Sequence, residues 1–263
     1  MDTTTNTEKK PTITTTYEFP RNSRIRHFLR YEYLINEIDA RLASRQGYAI
    51  VEALRLLHQL IEINMNNDMR GEVMRNLNQQ CHQLLQFKDR AEVNQTHLQK
   101  ELEEKKQVMQ EIEKVAIPTA MYHNHYLLST IKSYLNISGG LANFHLPMFA
   151  TWTTLPHNHQ QQNLRDWYAP FKELYNGIQS SLAMTRESAE FKPHQAEAGF
   201  YTENIPPSIK CELIRLSVKR DIFPKLSVNS SRLLVHFFRT TDFQKAPEQS
   251  KASIDFKIAL CNL

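Results

Sequence analysis

Along the first half of the chain, apolar residues return every three or four positions. Ile25, Phe28, Leu29, Ile35, Ile38 and Leu42 give a first helix one buried face, and Asn22 or Ser23 can cap it. Gly47 punctuates the pattern. A second helix is predicted over about 49–65, carrying Ile50, Leu54, Leu57 and Ile61, and Asn66-Asn67-Asp68 breaks it. A third covers about 71–87. The fourth, about 94–115, is highly charged, and Leu98, Leu102, Val108, Met109, Ile112 and Val115 draw only a thin apolar stripe along it. Such a stripe suits a helix hairpin packed along one seam. Pro118 fits the first turn of a fifth helix bearing Met121, Leu127, Leu128, Ile131 and Leu135.

Ser138-Gly139-Gly140 breaks this texture. Residues 141–156 are rich in aromatic and β-branched side chains and bounded by prolines, which predicts a strand or compact hairpin. A long helix follows within 157–195, with Leu164, Trp167, Leu174, Ile178 and Leu182 on one stripe and Pro170 expected to kink it or lie near its start. From Ala196 onward the period falls to two. Ile214, Leu216 and Val218 share one face, as do Leu233, Val235 and Phe237, and then Ile254, Phe256, Ile258 and Leu260.

The expected fold class is α+β, an N-terminal multi-helix domain with a long helix hairpin plus a C-terminal antiparallel β domain of small sandwich or barrel form. Its parts read as a disordered tail over 1–16, a helical domain over 17–140, a hairpin over 141–156 belonging to the β domain, a long helix over 157–195 packing on the helical domain, and the β domain itself over 196–263.

Composition narrows the function. Hydrophobic residues make up 41% and charged residues 23% of the chain, as in globular proteins. No stretch approaches the roughly 18 apolar residues of a membrane span, and residues 1–16 lack the pattern of a signal peptide, so a cytoplasmic protein is expected. The three cysteines, Cys81, Cys211 and Cys261, are far apart and form no CxxC pair, which suggests neither disulfides nor a zinc knuckle. His123-Asn124-His125 and His157-Asn158-His159 lack a nearby acid or thiol to complete a metal site, and on a helix residues two apart point to different sides. No phosphate-cradling, metalloprotease or nucleophile-elbow motif occurs. The expectation is therefore a protein without catalysis, cofactor or metal. The net charge of +4 mildly favours acidic partners, but the charges are interspersed, which argues against nucleic acid.

One cluster stands out. Arg26 and Arg30 are four apart on the first helix, Arg24 lies at its entry, and Tyr33 continues the face. Guanidinium forks bind carboxylates at two points, and the helix start adds a positive end. Either these arginines form an anion-attracting patch, or Arg30 is consumed by Glu32, Glu37 or an acid of another helix.

Tyr17-Glu18-Phe19-Pro20, then Arg26-His27-Phe28-Leu29-Arg30-Tyr31-Glu32-Tyr33-Leu34, resembles the start of the ZapD (YacF) family of FtsZ-associated cell-division proteins. Arg70-Gly71-Glu72-Val73, Ile137-Ser138-Gly139-Gly140, Leu146-Pro147, Trp152 with Leu155-Pro156, Gly199-Phe200-Tyr201, Pro224-Lys225-Leu226-Ser227, Ser231-Arg232 with Phe237, and Asp255-Phe256 continue the likeness in the same order. The resemblance implies a non-catalytic homodimer at the mid-cell division ring that takes the C-terminal peptide of FtsZ in a basic pocket and crosslinks protofilaments. It puts Arg30 in that pocket, with Arg26 and Arg24 at basic positions one and two turns earlier. On the fifth helix, where relatives carry arginines, this chain has His123, His125 and Tyr126, and Lys132 completes the set. That substitution predicts a less positive pocket and pH-dependent binding. The competing reading is a nucleic-acid-binding regulator using the same basic face.

Overall fold

The computed structural model describes residues 13–262 apart from 45, 89, 91, 116–121, 207–209, 230 and 241. The chain divides into two compact units, one of residues 26–183 and one of residues 1–25 with 184–263.

The first unit is helical. Its elements are α1 (Ser23–Ala43), α2 (Gly47–Asn66), α3 (Met69–Leu85), α4 (Gln95–Lys114), α5 (Tyr126–Leu135), α6 (Pro147–Thr153) and α7 (His157–Glu187), with the first and last running on into the other unit. The predicted apolar stripes are the buried ones. Phe28, Tyr31, Ile35 and Ile38 of α1 are buried with Ile50, Leu54, Leu57 and Ile61 of α2 and with Phe171, Leu174 and Ile178 of α7. Short polar side chains start several helices. Asp68 accepts the amide of Gly71 at 3.0 Å and Asn94 that of His97 at 3.1 Å, each satisfying a donor that a helix start leaves open. A Cβ on Gly177 would fall 2.5 Å from Ile112 and 2.7 Å from Val73, so the bare backbone there lets α7 approach α3 and α4 closely.

The α3–α4 hairpin closes on Cys81, Leu98 and Leu102, the thin seam foreseen from the pattern. One charge on it behaves unexpectedly. Lys105 is 2% exposed, and its ammonium donates to Gln80 Oε1 at 3.0 Å and to Ser180 Oγ at 3.2 Å. Asn76 and Gln80 add hydrogen bonds to Ser181, so a polar layer joins α3, α4 and α7 inside this unit.

The second unit is a two-sheet sandwich of β1 (Thr14–Pro20), β2 (Lys192–Ala196), β3 (Phe200–Asn204), β4 (Cys211–Lys219), β5 (Ile222–Val228), β6 (Arg232–Arg239), β7 (Glu248–Gln249) and β8 (Ile254–Asn262). One sheet has the order β1-β4-β8-β2 and the other β3-β6-β5, with β7 on β6, and all pairings are antiparallel. The period-two residues Ile214, Leu216, Val218, Leu233, Val235, Phe237, Ile254, Phe256 and Ile258 meet between the sheets. Gly199, at φ +69°, lies against the carbonyl of Ser250 in the turn between β2 and β3, where a side chain would collide.

Three expectations change. Residues 141–156, expected as a strand or hairpin, contain α6. Pro147 opens it with a ring already set to helical φ, Phe149 and Trp152 bury its inner side, and the hydroxyls of Thr151, Thr153 and Thr154 bond carbonyls within three or four residues. The tail expected over 1–16 is strand from Thr14, where the β-branched threonines pair with Lys219, Val218 and Ser217; residues 1–12 lie outside those described. Tyr17 to Pro20, assigned to the helical part, belong to that same strand. Pro170 sits inside α7, which continues through it, and Pro118 and Met121 fall outside the described residues.

Candidate functional site

The three arginines near the chain's first helix divide. Arg24 faces into the β unit, 2.5 Å from Glu212 Oε1, with both side chains mostly covered. Burial pushes the Glu212 carboxyl up and outweighs the opposing pull of Arg24. Arg24 thus neutralises an acid of its own chain, which removes it from the expected patch. Arg26 and Arg30 are exposed on α1 and make no ion pair or side-chain hydrogen bond with a described residue. Glu37, one acid considered for Arg30, pairs with Arg41 instead.

Arg30 lines a groove of about 410 Å³ between α1 and α2. One wall is His27, Arg30, Tyr33 and Leu34; the other is Gln59, Glu62, Ile63 and Asn66 with Asn67 beyond it. Three- and four-residue spacing puts each set on one side of its helix. His27 Nδ1 lies 3.3 Å from Glu72 Oε2 at one end, and Tyr33 is 60% exposed, an open aromatic surface beside Arg30.

Lys132 of α5 stands on the other flank of α2. Its Nζ is 3.8 Å from the Met65 sulfur and 5.9 Å from the centre of the Tyr122 ring. Two buried neighbours register the local charge. Burial, helped by Lys132, pulls His58 down to about 4, so its ring stays neutral. Burial, helped by the charge of Glu62, pushes Tyr122 up to about 12. Glu62, which lines the groove, therefore also bears on Tyr122.

The two histidines play different parts. His123 is exposed, its ring 6.0 Å from that of Tyr122. His125 is the N-cap of α5: its Nδ1 accepts the Leu128 amide at 3.3 Å, and its ring meets Trp167 edge-on at 4.8 Å. Burial pulls its pKa down. Only a neutral imidazole can accept this bond, so His125 holds the helix rather than offering a cation. The α2 wall was missed in sequence because Gln59, Glu62 and Asn66 read as the solvated side of an amphipathic helix. Their i, i+3, i+7 spacing opposite the buried stripe was the available signal. Among the described residues, no group of three or more potential metal ligands gathers and no helix is long and apolar enough to cross a membrane.

The chain is thus an α+β protein, a helical unit and an antiparallel sandwich, with Arg26 and Arg30 exposed on its first helix. Residues 29–236 match the model of the ZapD family, described as cell division protein, and the chain belongs to that family. Among relatives named Cell division protein ZapD, the one from Bordetella pertussis (strain Tohama I) is 28% identical over 251 residues, covering 94% of this chain and 97% of the relative. That of Shewanella baltica (strain OS185) is 25% identical over 93% of this chain and 98% of its own, and that of Shigella flexneri 24% over the same shares. The family assigns the chain a role in cell division.

Proposed function

We propose that this chain is a non-enzymatic division factor that binds the C-terminal tail of FtsZ and, as a homodimer, crosslinks FtsZ protofilaments into bundles that stabilise the ring at mid-cell. The observation that carries this reading is Arg30, a guanidinium without an acidic partner among the described residues and set in a groove beside an open tyrosine ring. In a division protein, such a site suits an acidic group on a peptide. A guanidinium offers a planar two-point fork to a carboxylate, and an exposed aromatic face adds contact area at little entropic cost. Arg26, one turn earlier, extends the positive field along α1, and Lys132 adds a second cation across α2. His123 is the histidine with an open ring, whereas His125 serves as a cap.

Two such sites on one dimer hold two filaments. The second binding event is then intramolecular, so modest affinity at each site becomes strong crosslinking along a polymer. The test is to mix the protein with FtsZ and GTP and follow pelleting and light scattering. Bundling is expected for the wild type and abolished by Arg30→Glu with the melting temperature unchanged. Filaments that remain unbundled by the wild type, or bundling that survives deletion of the FtsZ tail, would refute the proposal.

A further inference from the structure

The groove has two unlike walls. On α1 it presents His27, Arg30 and Tyr33, whereas on α2 it presents Glu62 among amides. Glu62 is exposed and makes no ion pair or hydrogen bond with a described residue, although it shares the groove with Arg30. It also lies in the closing turns of α2, whose last turn carries no basic residue of its own. A uniformly acidic ligand would meet attraction on one wall and repulsion on the other.

We infer that Glu62 is a specificity residue of this groove, and that the groove takes an extended peptide of mixed charge, with an acidic group on Arg30 and a basic side chain on Glu62. This rests on the reading of the groove as the FtsZ-tail site. The dimensions agree. The stretch from His27 to Leu34 rises about 10 Å along α1, the length of about three extended residues. Within that span, neighbouring side chains point to opposite sides, so an acid and a base next to each other in sequence reach opposite walls. Gln59, Asn66 and Asn67 supply amide donors and acceptors beside Glu62 for the peptide backbone between them. Glu62 thereby rejects peptides that Arg30 alone would accept, the repulsive half of a recognition device.

The experiment is a fluorescence-anisotropy titration with two labelled probes: the FtsZ C-terminal peptide, and the same peptide with every lysine and arginine replaced by glutamine. Wild-type protein is expected to bind the neutralised probe about three- to tenfold more weakly, the range of a partly shielded ion pair. Glu62→Gln, whose fold is checked by circular dichroism, is expected to bind the native probe weaker by a similar factor and to treat both probes alike. Glu62→Gln that binds the native probe as the wild type does, or still discriminates between probes, overturns this inference and leaves the FtsZ-tail reading standing. Wild-type protein that binds neither probe overturns that reading and this inference with it.

Discussion

Acidification should act on this protein through His58. The side chain is 3% exposed on the inner face of α2, 6.0 Å from the Tyr122 ring, with Lys132 of α5 as the neighbouring cation and Glu62 one turn further along its own helix. Burial holds its pKa at about 4, against an ordinary 6.5 in an unfolded chain. The folded state thus binds the proton less readily than the unfolded one. Stability from this source is fully present above about 6.5 and drains away as pH falls toward about 4. Each pKa unit is worth about 1.4 kcal/mol, so the full loss is on the order of 3 kcal/mol. For a chain of this size that corresponds to roughly 6–12 °C of melting temperature. The assay compares wild type with His58→Gln from pH 7.5 to 4 by thermal melting, since carboxylates titrate alike in both proteins and cancel. The variant is expected to start less stable and to close the gap as pH falls. A melting-temperature difference that stays constant across that range would refute the argument. An NMR titration adds a check on Lys132: Lys132→Met should raise the His58 pKa, because one of its two causes is gone.

Two further substitutions separate structural from exposed charge. His125→Ala is expected to cost about 1–2 kcal/mol by removing a helix cap together with an edge-on aromatic pair, whereas His125→Asn keeps the cap and should recover about half of it, as read from denaturant midpoints. Arg24→Ala should destabilise by about 1–3 kcal/mol at neutral pH, because it leaves the covered Glu212 carboxylate without its cation, while Arg26→Ala should be nearly neutral. The Arg24→Ala deficit should shrink as the pH is lowered far enough to protonate Glu212, since its pKa is raised and a protonated carboxyl no longer needs the cation.

Periodicity made most of the fold legible. The stripes of α1, α2 and α7 and the alternation of β4, β6 and β8 each bury one side of an element, and burial is what a period reports. It failed where burial did not decide the local conformation. Residues 141–156 have strand-like composition, but Pro147 at a helix start and hydroxyls bonded back to the chain settle α6, and both are local backbone effects that average propensity hides. Thr14 to Thr16 failed for the opposite reason: nothing local holds them, and their ladder partners on β4 lie some two hundred positions away in sequence. Lys105 read as one more solvated charge because the pattern gives no sign that Gln80 and Ser180 would wrap its ammonium.

The site was half legible for a related reason. Sequence shows which side chains can carry charge, but not which of them are already answered. Arg24, Arg26 and Arg30 look equivalent on the page, and only Glu212, 188 positions along the chain from Arg24, distinguishes the first from the others. His125 looks like a replacement cation until its Nδ1 is found receiving the Leu128 amide. Glu62 drew no attention because a lone acid on the polar side of a helix is ordinarily solvated. Its importance comes from what lies across the groove, and that neighbour belongs to a different helix. A basic patch inferred by counting arginines is therefore overestimated twice here, once by a cation spent on structure and once by a histidine held neutral. It also omits Glu62, an opposing charge that shares the groove with Arg30.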